Sequence, residues 1–275
     1  MKLKLSSVLI SSLCLLNIGY AANTSTQTNT SINNTFAACI PITKTQKIPT
    51  EIYWYNQSAE KKALYREIYS MADQYIQTWV NQTHPKPKTW GIILDIDETV
   101  LDNSWFSVQC QNSVSSEDNF EHYVSIPGKS TALPGAAHLV KLVHDLGGYV
   151  SFISNRSGTY SDKTGNTLTA TINDLKSQGI YFDQVILTNY QDAKDPSDKN
   201  SRFNAVITDH YDKTKMVWSN TLPAHKVIAY FGDNIQDFPK LKQKAVQALN
   251  GDSPEFNKFG QGYFVFPNPM YGSWE

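Results

Sequence analysis

Two carboxylates stand two positions apart, at Asp95 and Asp97, directly after the apolar run Trp90-Gly91-Ile92-Ile93-Leu94. Acids that close repel one another unless a cation or a shared proton compensates. A hard divalent ion with oxygen ligands is the natural compensation, and Mg2+ suits one or two carboxylates together with a phosphate. A second acidic pair, Asp233 and Asp237, follows the run Lys226 to Phe231. Ser154 follows a third such run and offers a hydroxyl, while Arg156 and Lys199 offer positive charge to a phosphoryl oxygen. Lys194 and Lys213 compete with Lys199 on position alone, and Arg156 reads equally as a surface charge, a phosphate ligand or a loop anchor. Together these parts suit phosphoryl transfer, where positioning and charge neutralisation do most of the catalysis. A carboxylate nucleophile would divide hydrolysis into two easier steps.

Such residues need a frame that brings distant segments to one edge. Short apolar runs at Trp90 to Leu94, Tyr149 to Ile153, Phe182 to Leu187 and Lys226 to Phe231 read as strands buried on both faces. Between them lie helical patterns: Gln57 to Gln82, Pro134 to His144, Leu168 to Lys176, Asp198 to Val206 and Phe238 to Leu249. In the first, Ala63, Leu64, Ile68, Met71, Tyr75, Trp79 and Val80 recur at helical spacing. Strands alternating with helices predict an α/β fold with a parallel sheet flanked by helices. Ligands of such sheets bind at the carboxyl ends of strands, where the polar residues named above fall. Ser104 to Thr131 lacks strong periodicity and reads as an inserted cap or loop, with a segment at about 104–132.

Lys2 and Lys4, the apolar stretch Leu5 to Ile18 and the small residues Gly19, Ala21 and Ala22 have the order of an export signal over 1–22. The stretch is short for a membrane span, which needs about 20 residues. The polar run at 23–35 carries too little apolar surface to order itself and is expected to be a flexible leader. Residues 36–275 then suit one domain. The formal net charge of −1 gives no reason to expect a nucleic-acid partner. After signal removal Cys39 and Cys110 remain, either as a disulfide or as two thiols. The six histidines are scattered without His-Glu-x-x-His, and no Gly-rich nucleotide loop is present.

Leu94-Asp95-Ile96-Asp97-Glu98-Thr99-Val100-Leu101-Asp102-Asn103-Ser104 and Tyr230-Phe231-Gly232-Asp233-Asn234-Ile235-Gln236-Asp237-Phe238 are similar to the two acidic signatures of the class C bacterial acid phosphatases. These form part of subfamily IIIB of the haloacid-dehalogenase (HAD) superfamily. Leu133 to Ala136, Ile153 to Arg156, Lys199 to Phe203 and Phe266 to Glu275 fit as well, so the resemblance runs from about Ile52 onward. It implies a Rossmann-like core with a small cap after the first core strand. It also implies a Mg2+-dependent phosphomonoesterase acting on small substrates such as nucleoside monophosphates. The export signal, without a lipid-accepting cysteine, would place it in the periplasm or outside the cell. Asp95 would attack phosphorus. Asp97 would protonate the leaving group and then activate water, while its backbone carbonyl joins Asp95, Asp233 and Asp237 around the metal. Ser154 and Lys199 would hold the phosphoryl group, and Trp105, Phe106 and Tyr271 lie where the family stacks aromatic leaving groups. Two departures stand out: no cysteine suits lipid anchoring, and Trp105-Phe106 replaces the common Pro-Tyr. Other readings of the same fold are a phosphotransferase and a catalytically silent storage or surface protein; a homo-oligomer is compatible with all of them.

Overall fold

The apolar runs form the centre of the molecule. In a computed structural model, which describes residues 47–109, 117–163, 165–190 and 195–275, two helices come first, α1 (Thr50–Gln57) and α2 (Ala59–Thr83). Then follow β1 (Trp90–Leu94), β2 (Leu101–Asp102), α3 (Ser104–Gln109), α4 (Glu117–Val124), β3 (Thr131–Ala132), α5 (Ala136–Asp145) and β4 (Tyr149–Ser157). The next elements are β5 (Ser161–Asp162), β6 (Gly165–Asn166), α6 (Thr167–Ser177), β7 (Gln184–Thr188) and α7 (Asn200–Thr208). The chain continues through β8 (Met216–Trp218), β9 (Lys226–Gly232), α8 (Gln243–Val246) and β10 (Tyr263–Val265).

Six strands make one sheet in the order β10-β9-β1-β4-β7-β8. Every neighbouring pair is parallel except β7 with β8. Alternation along β1 splits its side chains between two apolar cores: Ile92 and Leu94 face the one holding residues of α2, α5 and α6, and Ile93 faces the one holding α7. Both faces are thus covered, as an α/β architecture requires. From β1 the chain steps outward through β4 to β7, then returns to lay β9 on the other flank of β1. That reversal makes the crevice beyond the carboxyl end of β1 the place where an open α/β sheet binds ligands.

Several details depart from the sequence reading. The buried stripe of α2 is Tyr65, Tyr69, Ala72 and Ile76, with Lys61 one turn earlier, whereas Met71 is 43% exposed. The tyrosines go inward because their rings fill the core while their hydroxyls find backbone carbonyls. Ser58 precedes the helix and caps it by accepting from Lys61 N at 3.1 Å. The expected helix from Phe238 to Leu249 shrinks to the single turn α8, because Pro239 and a left-handed Lys240 (φ 66°) break it. The inserted segment carries α3 and α4, and its ends meet in the antiparallel pair β2–β3, a two-residue neck (Leu101 opposite Ala132, Asp102 opposite Thr131). The 1–22 and 23–35 segments, Cys39, Cys110 and Lys194 lie outside the described residues. No described helix is long and apolar enough to cross a membrane.

Candidate active site

The loop leaving β1 is a tight, internally bonded turn. Ile96 O accepts from both Val100 N and Leu101 N at 2.9 Å, and Glu98 sits in the left-handed region at φ 52°. A non-glycine residue holds that conformation only where its surroundings fix it. Here α1 and α2 do so: Tyr69 Oη donates to Thr99 O at 2.7 Å, Tyr65 Oη donates to Glu98 O, and the hydroxyls of Tyr55 on α1 and Tyr65 on α2 bond at 2.6 Å. The Glu98 side chain is fully buried, accepts Asn103 N at 2.7 Å, and is pushed above the usual carboxylate range by burial. The turn thereby presents Asp95 and Asp97 at the mouth of the crevice, with its strained backbone carbonyls paired to the tyrosines and Glu98 Oε2 left buried without a partner among the described residues.

Three carboxylates converge there. Oxygens of Asp95, Asp233 and Asp237 lie within 4.8 Å of one another. Lys199, buried just before α7, contacts Asp95 Oδ1 and lies 2.6 Å from Asp237 Oδ1. Burial drives the Asp95 carboxyl up to about 7, with Lys199 opposing and Asp237 and Asp97 adding to the rise. Asp233 is likewise raised, by burial first and then by Asp237 and Asp95. Burial alone would lower the Lys199 ammonium, but Asp237 and Asp95 outweigh it and hold it above its ordinary value. The cluster is fixed from outside by Asn268 Nδ2, which donates to Asp233 Oδ2 at 2.8 Å. Asp237 Oδ2 accepts Asn234 N at 2.9 Å and closes the capping box of the 3-10 turn Ile235–Asp237. Ionised together, three carboxylates against one ammonium would leave two negative charges on hard oxygen donors. A divalent cation matches that set, so the buried cluster can bind one.

Asp97 points elsewhere. Its carboxylate takes Arg156 Nη2 at 2.7 Å and Nε at 3.0 and 3.1 Å, Asn103 Nδ2 at 2.7 Å and Ser154 Oγ at 3.0 Å. Its side chain therefore stands apart from the three-carboxylate cluster. Arg156 and Ser154 reach it because β4 is irregular at its end: Ser154 pairs with Leu187 and Ser157 with Thr188, leaving Asn155 and Arg156 as extra residues. A bulge of this kind re-aims side chains next to a site. Arg202, buried in α7, ties the same bulge down through Asn155 Oδ1 at 2.6 Å and Ser154 O.

A cleft of about 520 Å3 opens over these groups and is lined by Asp95, Asp97, Ser154, Lys199, Asp233 and Asp237 on the core side. Phe106 and Phe120 line its other wall, their rings 5.5 Å apart, together with Glu121. Tyr271 also lines it, and its buried hydroxyl has no hydrogen-bond partner among the described residues. Trp105 does not line the cleft and is 52% exposed on α3. Arg156 borders the cleft, yet its side chain is wholly buried and each of its nitrogens donates to Asp97 or Thr171. The sequence reading missed Asn103, Glu121, Thr171 and Asn268. Only Asn103 and Asn268 lay inside the motifs that fit the family, where their type could have prompted a role. The arrangement offers a carboxylate at the floor of the cleft beside a buried ammonium and an acid cluster that can bind a cation, the means to hold an oxyanion and attack its central atom.

The comparisons agree with that chemistry. A family model described as HAD superfamily, subfamily IIIB (acid phosphatase), matches residues 13–274. Among solved structures, the class C acid phosphatase from Bacillus anthracis is 26% identical, with a TM-score of 0.60 and coverage of 82% of this chain and 84% of that one. Its crystal structure with tungstate bound gives a TM-score of 0.61 at the same identity and coverage. The chain belongs to the acid phosphatases of HAD subfamily IIIB and is a phosphomonoesterase.

Proposed function

We propose that the chain hydrolyses nucleoside monophosphates and similar small phosphomonoesters by way of a phosphorylated Asp95, with Mg2+ as its cation. The observation that carries this reading is the position of Asp95, in contact with Lys199 and within 4.8 Å of Asp233 and Asp237 at the carboxyl edge of the sheet. Asp95, Asp233 and Asp237, with the backbone carbonyl of Asp97, would hold the cation. When bound, Mg2+ withdraws charge from phosphoryl oxygens and relieves their repulsion with the attacking carboxylate. Lys199 binds a phosphoryl oxygen and Ser154 Oγ donates to another. Asp95 forms a bond to phosphorus as the bond to the leaving oxygen breaks, and Asp97 gives that oxygen a proton. Asp97 then takes a proton from water as water attacks phosphorus and releases Asp95.

A nucleoside leaving group is supported by the 520 Å3 of the cleft and by Phe106, Phe120 and Tyr271 along its walls. The unpartnered Tyr271 hydroxyl is available to a ligand. Export is supported by Lys2, Lys4, the apolar residues up to Ile18 and the small residues that follow. The test is phosphate release from a panel of nucleoside monophosphates with and without Mg2+, by wild type and Asp95→Asn. Wild type is expected to be active only with the cation, and the variant to lose nearly all activity. Equal rates in the two folded proteins would overturn the mechanism. An added alcohol acceptor in the same assay measures phosphotransfer.

A further inference from the structure

Both oxygens of Asp97 are engaged, but unequally. Oδ1 accepts three N–H donors: Arg156 Nη2 at 2.7 Å, Arg156 Nε at 3.0 Å and Asn103 Nδ2 at 2.7 Å. Oδ2 accepts the Ser154 hydroxyl at 3.0 Å and only the longer limb of the shared Arg156 Nε, at 3.1 Å. A proton on Oδ1 would be set against Arg156 Nη2 and Asn103 Nδ2, both at 2.7 Å and neither shared with Oδ2. A proton on Oδ2 faces a hydroxyl, which rotates and can accept as readily as donate.

Building on the catalytic reading above, we propose that Arg156 is a positioning residue for Asp97, anchoring Oδ1 and leaving Oδ2 as the atom that exchanges protons. Arg156 is itself fixed. Its Nη1 donates to Thr171 Oγ1 of α6 at 2.8 Å, and no part of its side chain reaches solvent. The bulge that carries it is held by the cap: Glu121 Oε1 on α4 accepts Ser157 N at 2.6 Å. Guanidinium and carboxylate planes match in a fork that sets orientation as well as charge, which an ammonium cannot reproduce.

The proton balance follows. In the first step the Oδ2 proton passes to the leaving oxygen as its bond to phosphorus breaks and the Asp95–phosphorus bond forms. Oδ2 is then the free base, with the single Ser154 proton directed to the phosphoryl oxygen. In the second step water loses a proton to Oδ2 as its oxygen bonds phosphorus and the Asp95 bond breaks. The acid is restored at the same atom, with Oδ1 unmoved throughout.

Leaving groups differ in their need for that proton, which separates a positioning role from a merely structural one. p-Nitrophenolate departs unaided, whereas an alkoxide does not. The measurement is kcat/KM for p-nitrophenyl phosphate and for ethyl phosphate with Mg2+, together with the inhibition constant of inorganic phosphate. General acid catalysis is worth about 10²- to 10⁴-fold. Arg156→Lys is therefore expected to lose about a hundredfold on ethyl phosphate and under about tenfold on the aryl ester, with phosphate inhibition within about twofold of wild type. Thr171→Val, nearly isosteric and removed from the carboxylate, is expected to shift the same ratio by about threefold to tenfold. It decides the matter if Arg156→Lys does not fold. Equal losses on both esters, or a change confined to phosphate inhibition, would overturn the inference while leaving the phosphatase reading intact. Wild type inactive on both esters would overturn the catalytic reading, and this inference with it.

Discussion

Gly232 closes β9 at a point where no side chain fits. A β-carbon there would overlap Cβ and Oδ2 of Asp237, so the missing side chain is what lets that carboxylate lie against the strand and join Asp95 and Asp233. Overpacking of this kind costs about 1–3 kcal/mol when the structure can adjust, and here it adjusts by moving an acid of the cluster. Gly232→Ala is expected to lose about a hundredfold in kcat/KM, since a displacement near 1 Å can cost that much. It should also lose the rise in Tm expected of the wild type when a divalent cation is added, a readout independent of turnover. The aspartates were legible because each follows an apolar strand, and strand ends share an edge. The Arg156 contact with Asp97 was not, because an irregular pairing at the end of β4 decides where that side chain goes, and no residue type announces it. Asn268 stood inside a motif that fits the family, but its link to Asp233, a tertiary contact between segments 35 residues apart, does not show in spacing.

A helix remote from the chemistry sets the shape of the Asp95 loop. Tyr65 and Tyr69, one turn apart on α2, bond consecutive carbonyls at Glu98 and Thr99. Removing the Tyr69 hydroxyl strands the Thr99 carbonyl in a buried site, at a cost of about 1–3 kcal/mol. Tyr69→Phe is therefore expected to lower Tm by several degrees, at about 2–4 °C per kcal/mol for a domain of this size, and to lower kcat/KM as the loop loosens. Tyr75→Phe removes a longer, half-buried bond to Ile228 O (3.2 Å) away from that loop. It should cost stability with kcat/KM unchanged; parallel losses in activity would show that the loop is not what Tyr69 controls. The strands β1, β4, β7 and β9 were readable as continuous apolar runs. β8 and β10 were not, being three residues each at the sheet margins, too short for a period to show. Ile68, Tyr75, Trp79 and Val80 of the expected face of α2 do pack on the core. Its centre at Tyr65 and Tyr69 was missed because tyrosine counts as half-polar in a pattern, while its burial depends on an acceptor supplied by another part of the chain.

Stability of the molecule as a whole rests partly on a knot far from the cleft. Asp183 accepts Val150 N at 2.9 Å and His144 Nε2 at 2.8 Å, and lies 3.2 Å from Lys88 Nζ. It thereby ties the start of β4, the end of α5 and the link between α2 and β1. Burial pushes its carboxyl up, but His144, Val150 N and Lys88 together outweigh that and hold it below the usual range. Its unfolded value is about 3.9. A folded value below this means that its stabilisation is complete above about pH 4 and is lost as pH falls through the folded value. Asp183→Asn is expected to lower Tm at pH 7 by several degrees, from about 1.5–3 kcal/mol for charged hydrogen bonds at this size. The difference from wild type should shrink toward pH 3; a constant offset would mean that the carboxylate charge contributes nothing. The order of the sheet has one more consequence, for how activity is acquired. Lys199 and Asp95 are 104 residues apart in the chain, and Thr99 and Asp233 are 134 apart. Pairings this remote close slowly, because the entropy of a long loop must be overcome before any contact rewards it. An intermediate with β1, β4 and β7 joined but β9 absent would already carry Asp95, Asp97 and Ser154, yet lack Asp233 and Asp237. Hydrolytic competence therefore waits on the docking of β9 against β1, the pairing that brings Asp233 and Asp237 to Asp95.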